Sequence, residues 1–370
     1  MDKQALGARI ARAREEAGMT QDGLGNTVHL DRTAISRLEK GERKLSVLEL
    51  VAVAQALGRP LAYFVDDPVP AAVSRRADAA QAHETTRLLD AEIEDFAADV
   101  RILVDLGLIS PIERPADART PADHDDTERL ARDLRQHLGL AADPIDDLGA
   151  TCERLGLYTF SAALGVGGAD GGCVEVGDER RAVGAAVING EAPGGRRRMT
   201  LAHELGHWVC GDAYDRQASA DSERMISSFA IHFLAPRAGV TAVWHRHADW
   251  SNRDRALAVG ASFRLSWSAN LGQLMNLGLL GREEFRALNA DEPHAGDYLR
   301  LGGLRWQEEL ARPYVSPGFT AACLNGYVSG RLTAARTMEL LRGTLPAGEL
   351  PHPEASSDHL RRSFEGHDDA

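Results

Sequence analysis

The sequence is poor in cysteine and has no long apolar run. Its four cysteines are scattered, and no two of them form a Cys-x-x-Cys pair. This pattern gives no sign of a disulfide framework and is typical of a reducing compartment. A transmembrane helix needs about 18 or more apolar residues in a row, which do not occur, and Met1-Asp2-Lys3-Gln4 lacks the apolar core of a signal peptide. We therefore expect a cytoplasmic protein without a membrane partner.

An overall positive charge is also lacking. The chain has 42 Lys and Arg against 55 Asp and Glu, which gives a formal net charge of −13. This balance argues against a whole surface that binds nucleic acid, but it does not exclude a single domain that does so. With 370 residues, the chain is long enough for two or more domains with full cores.

The most informative stretch is Thr200–Val209, which contains His-Glu-x-x-His inside an apolar run. Residues four apart lie on one face of a helix, so His203 and His207 can present two imidazoles to one metal ion, with Glu204 beside them. These side chains suit zinc, which in catalytic sites keeps one position open for water. Zinc makes that water acidic, and the glutamate takes its proton as general base. The alternative is a buried helix with two satisfied histidines.

A third ligand is available downstream. A second helix is predicted from apolar residues at helical spacing, and it ends at Pro236. These apolar residues are Ile226, Phe229, Ala230, Phe233 and Leu234. Glu223 lies one turn before them on nearly the same face, so it points toward the core and needs a partner charge. Zinc held by two histidines and Glu223 supplies this charge. Asp212, Asp215 and Asp221 are alternative ligands.

Together these motifs resemble the ImmA/IrrE family of bacterial metallopeptidases. The resemblance rests on Arg196–His207, on Glu223 and on Phe229-Ala230-x-x-x-Leu234-x-Pro236, and it covers about Asp147 to Leu280. It implies that His203, His207 and Glu223 bind zinc and that Glu204 is the catalytic base. It also implies an intracellular endopeptidase that cleaves repressor proteins, with activity that can depend on an inducer. The chain departs from the family at Ile226-Ser227, where Ala-Asn is usual.

Other polar residues near these motifs have structural interpretations as well. His232 faces away from Glu223 by helical phase, and Cys210 reads as a buried thiol rather than a metal contact. His245 and His247 lie on a polar stretch and are interpreted as surface histidines. The alternative is that one of them reaches the cleft and polarises the scissile carbonyl. Arg196-Arg197-Arg198 is either a nucleic-acid patch or a solvated turn with one structural arginine.

Residues 1–65 predict a separate domain of short helices. Thr20, Asp31 and Ser46 each stand where a helix N-cap is expected, and Gly18 ends the first helix. This segment carries about ten Lys and Arg against about eight Asp and Glu, so it is mildly basic within an acidic chain. The alternative interpretation is a generic small helical bundle.

The amino-acid sequence of this segment resembles that of the Cro-like, XRE-type helix-turn-helix domain. The resemblance rests on Thr20-Gln21-x-x-Leu24 and on the stretch from Arg32 to Gly41. It implies that the third helix enters the major groove of double-stranded DNA. The candidate DNA contacts are Gln21, Arg32, Thr33, Ser36 and Arg37. Gly25 replaces a usual alanine and His29 a usual glycine, but histidine tolerates the left-handed conformation that the turn needs. The modest charge favours binding as a homodimer.

Residues 66–126 are predicted to be a linker that contains one amphipathic helix, at about 84–106. The helix is flanked by a Pro- and Ala-rich segment and by a Pro- and Asp-rich segment after Ser110. Five apolar residues alternate along the helix at spacings of four and three: Leu89, Ile93, Phe96, Val100 and Leu103. This seam indicates either a dimeric coiled coil or packing onto the following domain.

The remaining segments complete the predicted fold. Residues 127–290 read as the peptidase domain, with three short strands at Leu157–Phe160, Gly172–Val176 and Ala185–Asn189. A strand edge beside the His-Glu-x-x-His helix can hold an extended peptide substrate. Residues 291–350 read as a helical C-terminal region, and 351–370 as a disordered tail.

The predicted fold class is thus mainly α with a small β-sheet. An all-α helix-turn-helix domain precedes an α+β zincin-like peptidase domain and a helical C-terminal region. Two functions follow: a DNA-binding zinc endopeptidase that cleaves a repressor-type protein, or a transcriptional regulator whose peptidase-like domain senses a metal or ligand without proteolysis. Retention of Glu204 favours the first, because a sensor needs no general base. An antitoxin-like partner in a two-gene pair is a third interpretation.

Overall fold

The computed structural model describes residues 3–59, 61–65, 82–113, 120–178, 180–211, 220–301 and 308–353. The chain divides into two compact units, Met1–Pro70 and Ala71–Ala370. The first unit contains five helices: α1 (Lys3–Glu16), α2 (Gln21–Val28), α3 (Arg32–Glu39), α4 (Val47–Ala56) and α5 (Leu61–Val65). Its core consists of apolar side chains from all five, among them Ile10, Leu24, Ile35, Val53 and Phe64.

Local capping chemistry fixes the helices of the first unit. The side chains of Thr20, Asp31 and Ser46 accept hydrogen bonds from backbone N–H groups three residues on, which confirms the predicted caps. His29 adopts a φ of 58° and a ψ of 37°, the left-handed conformation expected of the turn. A Cβ on Gly25 would lie 2.5 Å from the carbonyl oxygen of Leu30, so the departure from alanine permits a closer turn.

The second unit combines a small mixed sheet with the remaining helices. The helices before and around the sheet are α6 (Ala82–Asp105), α7 (His124–His137), α8 (Leu148–Glu153), α9 (Gly194–Cys210) and α10 (Ala220–Leu234). Those after them are α11 (Arg237–Arg246), α12 (Asn252–Phe263), α13 (Trp267–Asn276), α14 (Arg282–Asn289), α15 (Ala295–Arg300), α16 (Pro317–Val328) and α17 (Ala334–Leu340), followed by a 3₁₀ turn at Ala347–Glu349. This architecture confirms the predicted fold class.

The sheet has five strands: β1 (Ile112–Glu113), β2 (Leu157–Ala162), β3 (Gly171–Gly177), β4 (Arg181–Asn189) and β5 (Tyr314–Val315). β4 pairs with β2 in parallel and with β3 and β1 antiparallel, and β5 adds antiparallel to β2. The three predicted strands correspond to β2, β3 and β4. The two-residue strands β1 and β5 come from segments where no strand was predicted.

Helix α6 packs on β3 and β4 within the second unit. Its five seam residues, from Leu89 to Leu103, are all buried there, as the packing alternative for this helix expects. Its polar side holds Asp99, which pairs with Arg336 and Arg342 of the C-terminal helices. α6 and the C-terminal region therefore belong to the compact unit that also contains the His-Glu-x-x-His helix.

Parts of the predicted connections are ordered elements. Ile112 and Glu113 pair with β4, and α7 begins at His124. The linker predicted for residues 66–126 therefore contains ordered elements at both ends of its Pro- and Asp-rich segment. The predicted linker at 66–81 and the tail at 354–370 lie outside the described residues, as does 114–119. In the described parts of the chain, no single helix is long and apolar enough to cross a membrane, although the bent pair α10–α11 passes a test of length and composition.

Candidate metal centre

Helix α9 places the two motif histidines on one face. His203, Glu204 and His207 are all about 1% exposed. The Nε2 atoms of His203 and His207 lie 3.1 Å apart, so both rings point to the same place. Gly206 lies between them on the side where α9 meets α10, and a Cβ there would lie 2.9 Å from both Ile226 Cγ2 and Phe229 Cδ1. This close packing explains why glycine stands at this position of the helix.

Helix α10 brings Glu223 to the two imidazoles. Its carboxylate oxygens lie 3.2 Å from His203 Nε2 and 3.5 Å from His207 Nε2. Hydrogen bonds from His203 and His207 hold the pKa of Glu223 well below its ordinary value. The Glu223 side chain keeps 31% of its exposure, so the group opens to solvent on this side. Among the described residues, these three side chains form the group of potential His, Cys, Asp or Glu ligands whose atoms lie close enough together, within 4.8 Å, to hold one metal ion.

The donor set fits zinc. Two imidazole nitrogens and one carboxylate are a catalytic zinc ligand set, and the tetrahedral edge between ligands at 2.0–2.1 Å is about 3.3 Å. The observed separations of 3.1, 3.2 and 3.5 Å bracket this value. The three ligand atoms therefore need no large movement to meet one ion.

Glu204 is buried beside the trio. Its Oε2 atom has no hydrogen-bond partner in the described part of the chain. Burial raises the pKa of the Glu204 carboxyl, while the charges of His207 and His203 lower it. On the strand β3, the Cys173 thiol donates a hydrogen bond to the backbone oxygen of Glu204, 3.6 Å away. An unpartnered carboxylate oxygen in a buried place is costly, and it indicates a group that acts on something bound there.

A serine on α10 contacts the other side of one imidazole. Ser227 Oγ lies 3.4 Å from His203 Nδ1, while His203 Nε2 faces Glu223. Sequence reasoning noted Ser227 only as a departure from the family. Its position four residues after Glu223, on the same helical face, is the signal from which this contact could have been predicted.

The alternative ligands do not join the trio. Asp221 is exposed and pairs with Arg224, whereas Asp212 and Asp215 lie outside the described residues. Cys210 is buried but does not belong to the candidate metal group. His232 is buried against Gln273, as the structural interpretation expects.

The remaining histidines and the three arginines also have structural settings. His245 is exposed, and His247 stacks on Trp250 with 4.0 Å between ring centroids. Each of the three consecutive arginines pairs with a carboxylate of the same chain. The pairs are Arg196–Asp170, Arg197–Glu308 and Arg198–Glu309. These contacts favour structural roles for all three arginines over a nucleic-acid patch.

The candidate DNA contacts lie on and beside α3. Arg32, Thr33 and Arg37 are exposed, and Ser36 is half-buried. The half-buried Gln21 donates its amide N–H to Glu39 at 2.7 Å, and Glu39 also pairs with Arg14 at 2.6 Å. The candidate side chains on α3 are thus accessible to solvent, whereas the amide nitrogen of Gln21 already donates a hydrogen bond within the domain.

Two domain families match the chain. Residues 10–64 match the family model described as helix-turn-helix, and residues 152–269 match the one described as IrrE N-terminal-like domain. No curated protein matches the sequence. Among solved structures, ComR from Streptococcus suis is 12% identical, with 82% of this chain and 76% of that chain covered and a TM-score of 0.17. The chain therefore joins an XRE-like helix-turn-helix domain to an IrrE-type peptidase domain of the ImmA/IrrE group.

Proposed function

We propose that the protein is a DNA-binding, zinc-dependent endopeptidase that regulates transcription by cleaving a repressor-type protein. The observation that carries this proposal is the convergence of His203, His207 and Glu223 beside the buried Glu204, whose Oε2 atom has no hydrogen-bond partner among the described residues. The helix-turn-helix domain supports the regulatory role. The repressor substrate comes from the resemblance to ImmA/IrrE peptidases.

Each residue of the centre has a distinct part in this reaction. His203, His207 and Glu223 would hold the zinc ion, which when bound makes water acidic and polarises the scissile carbonyl. Glu204 takes the proton of the attacking water and delivers it to the leaving amine. Burial suits this exchange, because it raises the pKa of Glu204 toward the range in which a carboxyl both accepts and releases a proton.

Strand β3 offers the edge on which a peptide would lie. Asn189 N donates to Asp170 O at 2.8 Å, and hydrogen-bonded pairs alternate along an antiparallel ladder. Asp170 therefore faces β4, as does every second residue after it. The residues between them are Gly171, Cys173 and Glu175, and their backbone N–H and C=O groups point away from β4. These three residues are buried, so a peptide pairs here only after a local opening. Such a requirement agrees with an activity that depends on an inducer.

The zinc site is tested first, by metal analysis of the purified full chain. We expect about one zinc per wild-type chain, and a loss of most of it in His203→Ala and in Glu223→Ala. Glu204→Gln serves as the matched control, since it removes the base but none of the ligands. Wild-type protein that takes up no zinc even after addition of the metal would contradict the proposal.

Proteolysis is tested in cells, where any inducer is present. New protein N-termini are compared between cells that express wild type and cells that express Glu204→Gln. We expect cleavage of a DNA-binding protein in the first cells only. Identical N-termini, with a transcriptional output that survives Glu204→Gln, would instead support a regulator that senses a metal or ligand.

DNA binding is tested on the full chain by chemical labelling of amines in its first unit. All three lysines of the chain, Lys3, Lys40 and Lys44, lie in this unit, so amine labelling reports on it alone. We expect operator DNA to protect Lys40 and Lys44, which are exposed next to α3. We also expect Arg32→Ala and Arg37→Ala to weaken binding, with a lower salt dependence where a phosphate contact is lost. Binding with a two-fold stoichiometry would support the homodimer.

A further inference from the structure

Two adjacent serines on α10 face different partners. Ser227 Oγ lies 3.4 Å from Nδ1 of His203. Ser228 Oγ instead lies 2.8 Å from His124 Nδ1 and 2.9 Å from Thr127 Oγ1, both on α7. A step of one residue turns a helix by about 100°, which separates these directions. Ser227 therefore belongs to the metal side of α10, and Ser228 to its scaffold side.

The geometry of His203 determines what Ser227 contacts. Nε2 points to His207 and Glu223 and is the atom that would bind the metal. A neutral imidazole that binds a metal through Nε2 carries its proton on Nδ1, and the hydrogen bond made by that N–H selects the tautomer and the ring orientation. Of the described side chains, Ser227 is the one with a hydrogen-bonding oxygen at this Nδ1.

We infer that Ser227 is the positioning residue of this zinc centre, whose hydroxyl oxygen accepts the Nδ1–H of His203 and holds the ring in its metal-binding tautomer. The inference rests on the proposed zinc site and concerns its affinity. The partner of a metal-binding histidine is commonly a carboxylate or a carbonyl oxygen. At 3.4 Å the contact is longer than an ordinary N–H···O hydrogen bond of about 2.7–3.2 Å, and a neutral hydroxyl also bonds less strongly than a carboxylate.

The serine at position 227, where the ImmA/IrrE family usually has asparagine, therefore affects the zinc affinity of the site. Because this contact is long, we expect the site to bind zinc less tightly than the same site with an amide oxygen at ordinary hydrogen-bond distance from Nδ1. Such a centre loads and unloads more readily as the available zinc changes.

The test measures zinc affinity of the full chain by competition with a chromophoric chelator. We expect Ser227→Ala to weaken zinc binding about 10-fold, the lower end for loss of such a partner. Ser227→Asn is expected to match or exceed the zinc affinity of the wild type. The ¹⁵N chemical shifts of the His203 ring provide a second readout, with the Nε2-bound tautomer less populated in Ser227→Ala.

Ser228→Ala is the matched control. It removes a neighbouring hydroxyl and its contacts with α7, so we expect a lower stability of the metal-free chain but an unchanged zinc affinity. Equal zinc affinities and ring shifts in wild type, Ser227→Ala and Ser228→Ala would overturn the role of Ser227. A wild-type chain that binds no zinc would overturn the proposed function itself, which separates the two failures.

Discussion

Gly206 lies where the histidine helix packs directly against side chains of the Glu223 helix. A methyl group there would meet Ile226 and Phe229 at 2.9 Å, and both of these side chains are fully buried. We expect Gly206→Ala to destabilise the chain by about 1–3 kcal/mol, as overpacking of a core does. Because the helices are forced apart, we also expect a longer distance from Glu223 to the histidines and weaker zinc binding. Urea unfolding and zinc competition measure the two effects.

Gly272 is the control for that substitution. It also lies inside a helix, α13, but nothing stands within 4 Å of its added Cβ. Alanine forms helices better than glycine by about 1 kcal/mol, so Gly272→Ala should leave stability unchanged or raise it. A Gly206→Ala chain as stable as the Gly272→Ala chain would show that the helices can separate without loss.

At the scale of the element, α4 is held by a reciprocal cap. Ser46 and Glu49 exchange hydrogen bonds with each other's backbone, and Arg43 also donates to Glu49. The hydrogen bond from Arg43, followed by those from Ser46, lowers the pKa of Glu49 from 4.5 to about 2. A carboxyl whose folded pKa is depressed stabilises the fold above its unfolded pKa, and this contribution is lost as the pH falls from about 4.5 to 2.

We therefore expect the start of α4 to loosen over this acidic window. Hydrogen exchange of the peptides that cover residues 40–57 is the measurement, since it resolves this helix from the rest of the chain. Glu49→Gln should lose about 0.2–1 kcal/mol of local stability at neutral pH, the worth of a partly exposed ion pair, and should flatten the pH dependence of exchange between pH 4.5 and 2. Glu42→Gln removes the same charge from the preceding loop and should leave the dependence in place. The same flattening in both variants would assign the effect to net charge.

Local elements could be predicted from the sequence because their causes lie within a few residues. The caps at Thr20, Asp31 and Ser46 each need only a side chain and an N–H three residues on. The spacing of four between His203 and His207 likewise fixes their common face. The seam of α6 was equally visible, but an apolar stripe does not say whether a sheet or a second chain covers it.

Contacts between distant segments were beyond such reasoning. The acidic partners of Arg197 and Arg198 lie 111 residues further along the chain, and Ser227 lies 24 residues from His203. The engagement of Gln21 by Glu39 is of the same kind, because only the packed domain brings the two side chains together. Pairings that depend on tertiary structure leave no periodic signal in the sequence.

At the scale of the whole molecule, the C-terminal region is anchored to the start of the histidine helix. Arg198 is buried, and burial lowers its pKa to about 9. Its charge is balanced by Glu309, which also lies 3.4 Å from Arg264. The adjacent Glu308 pairs with Arg197, which has further acceptors in the backbone oxygens of Ala192 and Glu309. The two neighbouring glutamates differ in burial, since the side chain of Glu309 is 15% exposed and that of Glu308 is 64% exposed.

This difference makes Glu309 the sharper test of whether the C-terminal region supports the metal centre. Glu309→Gln removes the paired carboxylate of the buried Arg198, which costs about 3–5 kcal/mol. Glu308→Gln removes a carboxylate that is mostly exposed, and its partner Arg197 keeps two backbone acceptors, so we expect a loss of about 1 kcal/mol or less. Arg198 precedes His203 by five residues on α9, so a displaced helix start should also weaken zinc binding in Glu309→Gln but not in Glu308→Gln. Urea unfolding and zinc competition on the full chain separate the two variants. Equal zinc affinities in a clearly destabilised Glu309→Gln chain would mean that the C-terminal region stabilises the fold without shaping the site.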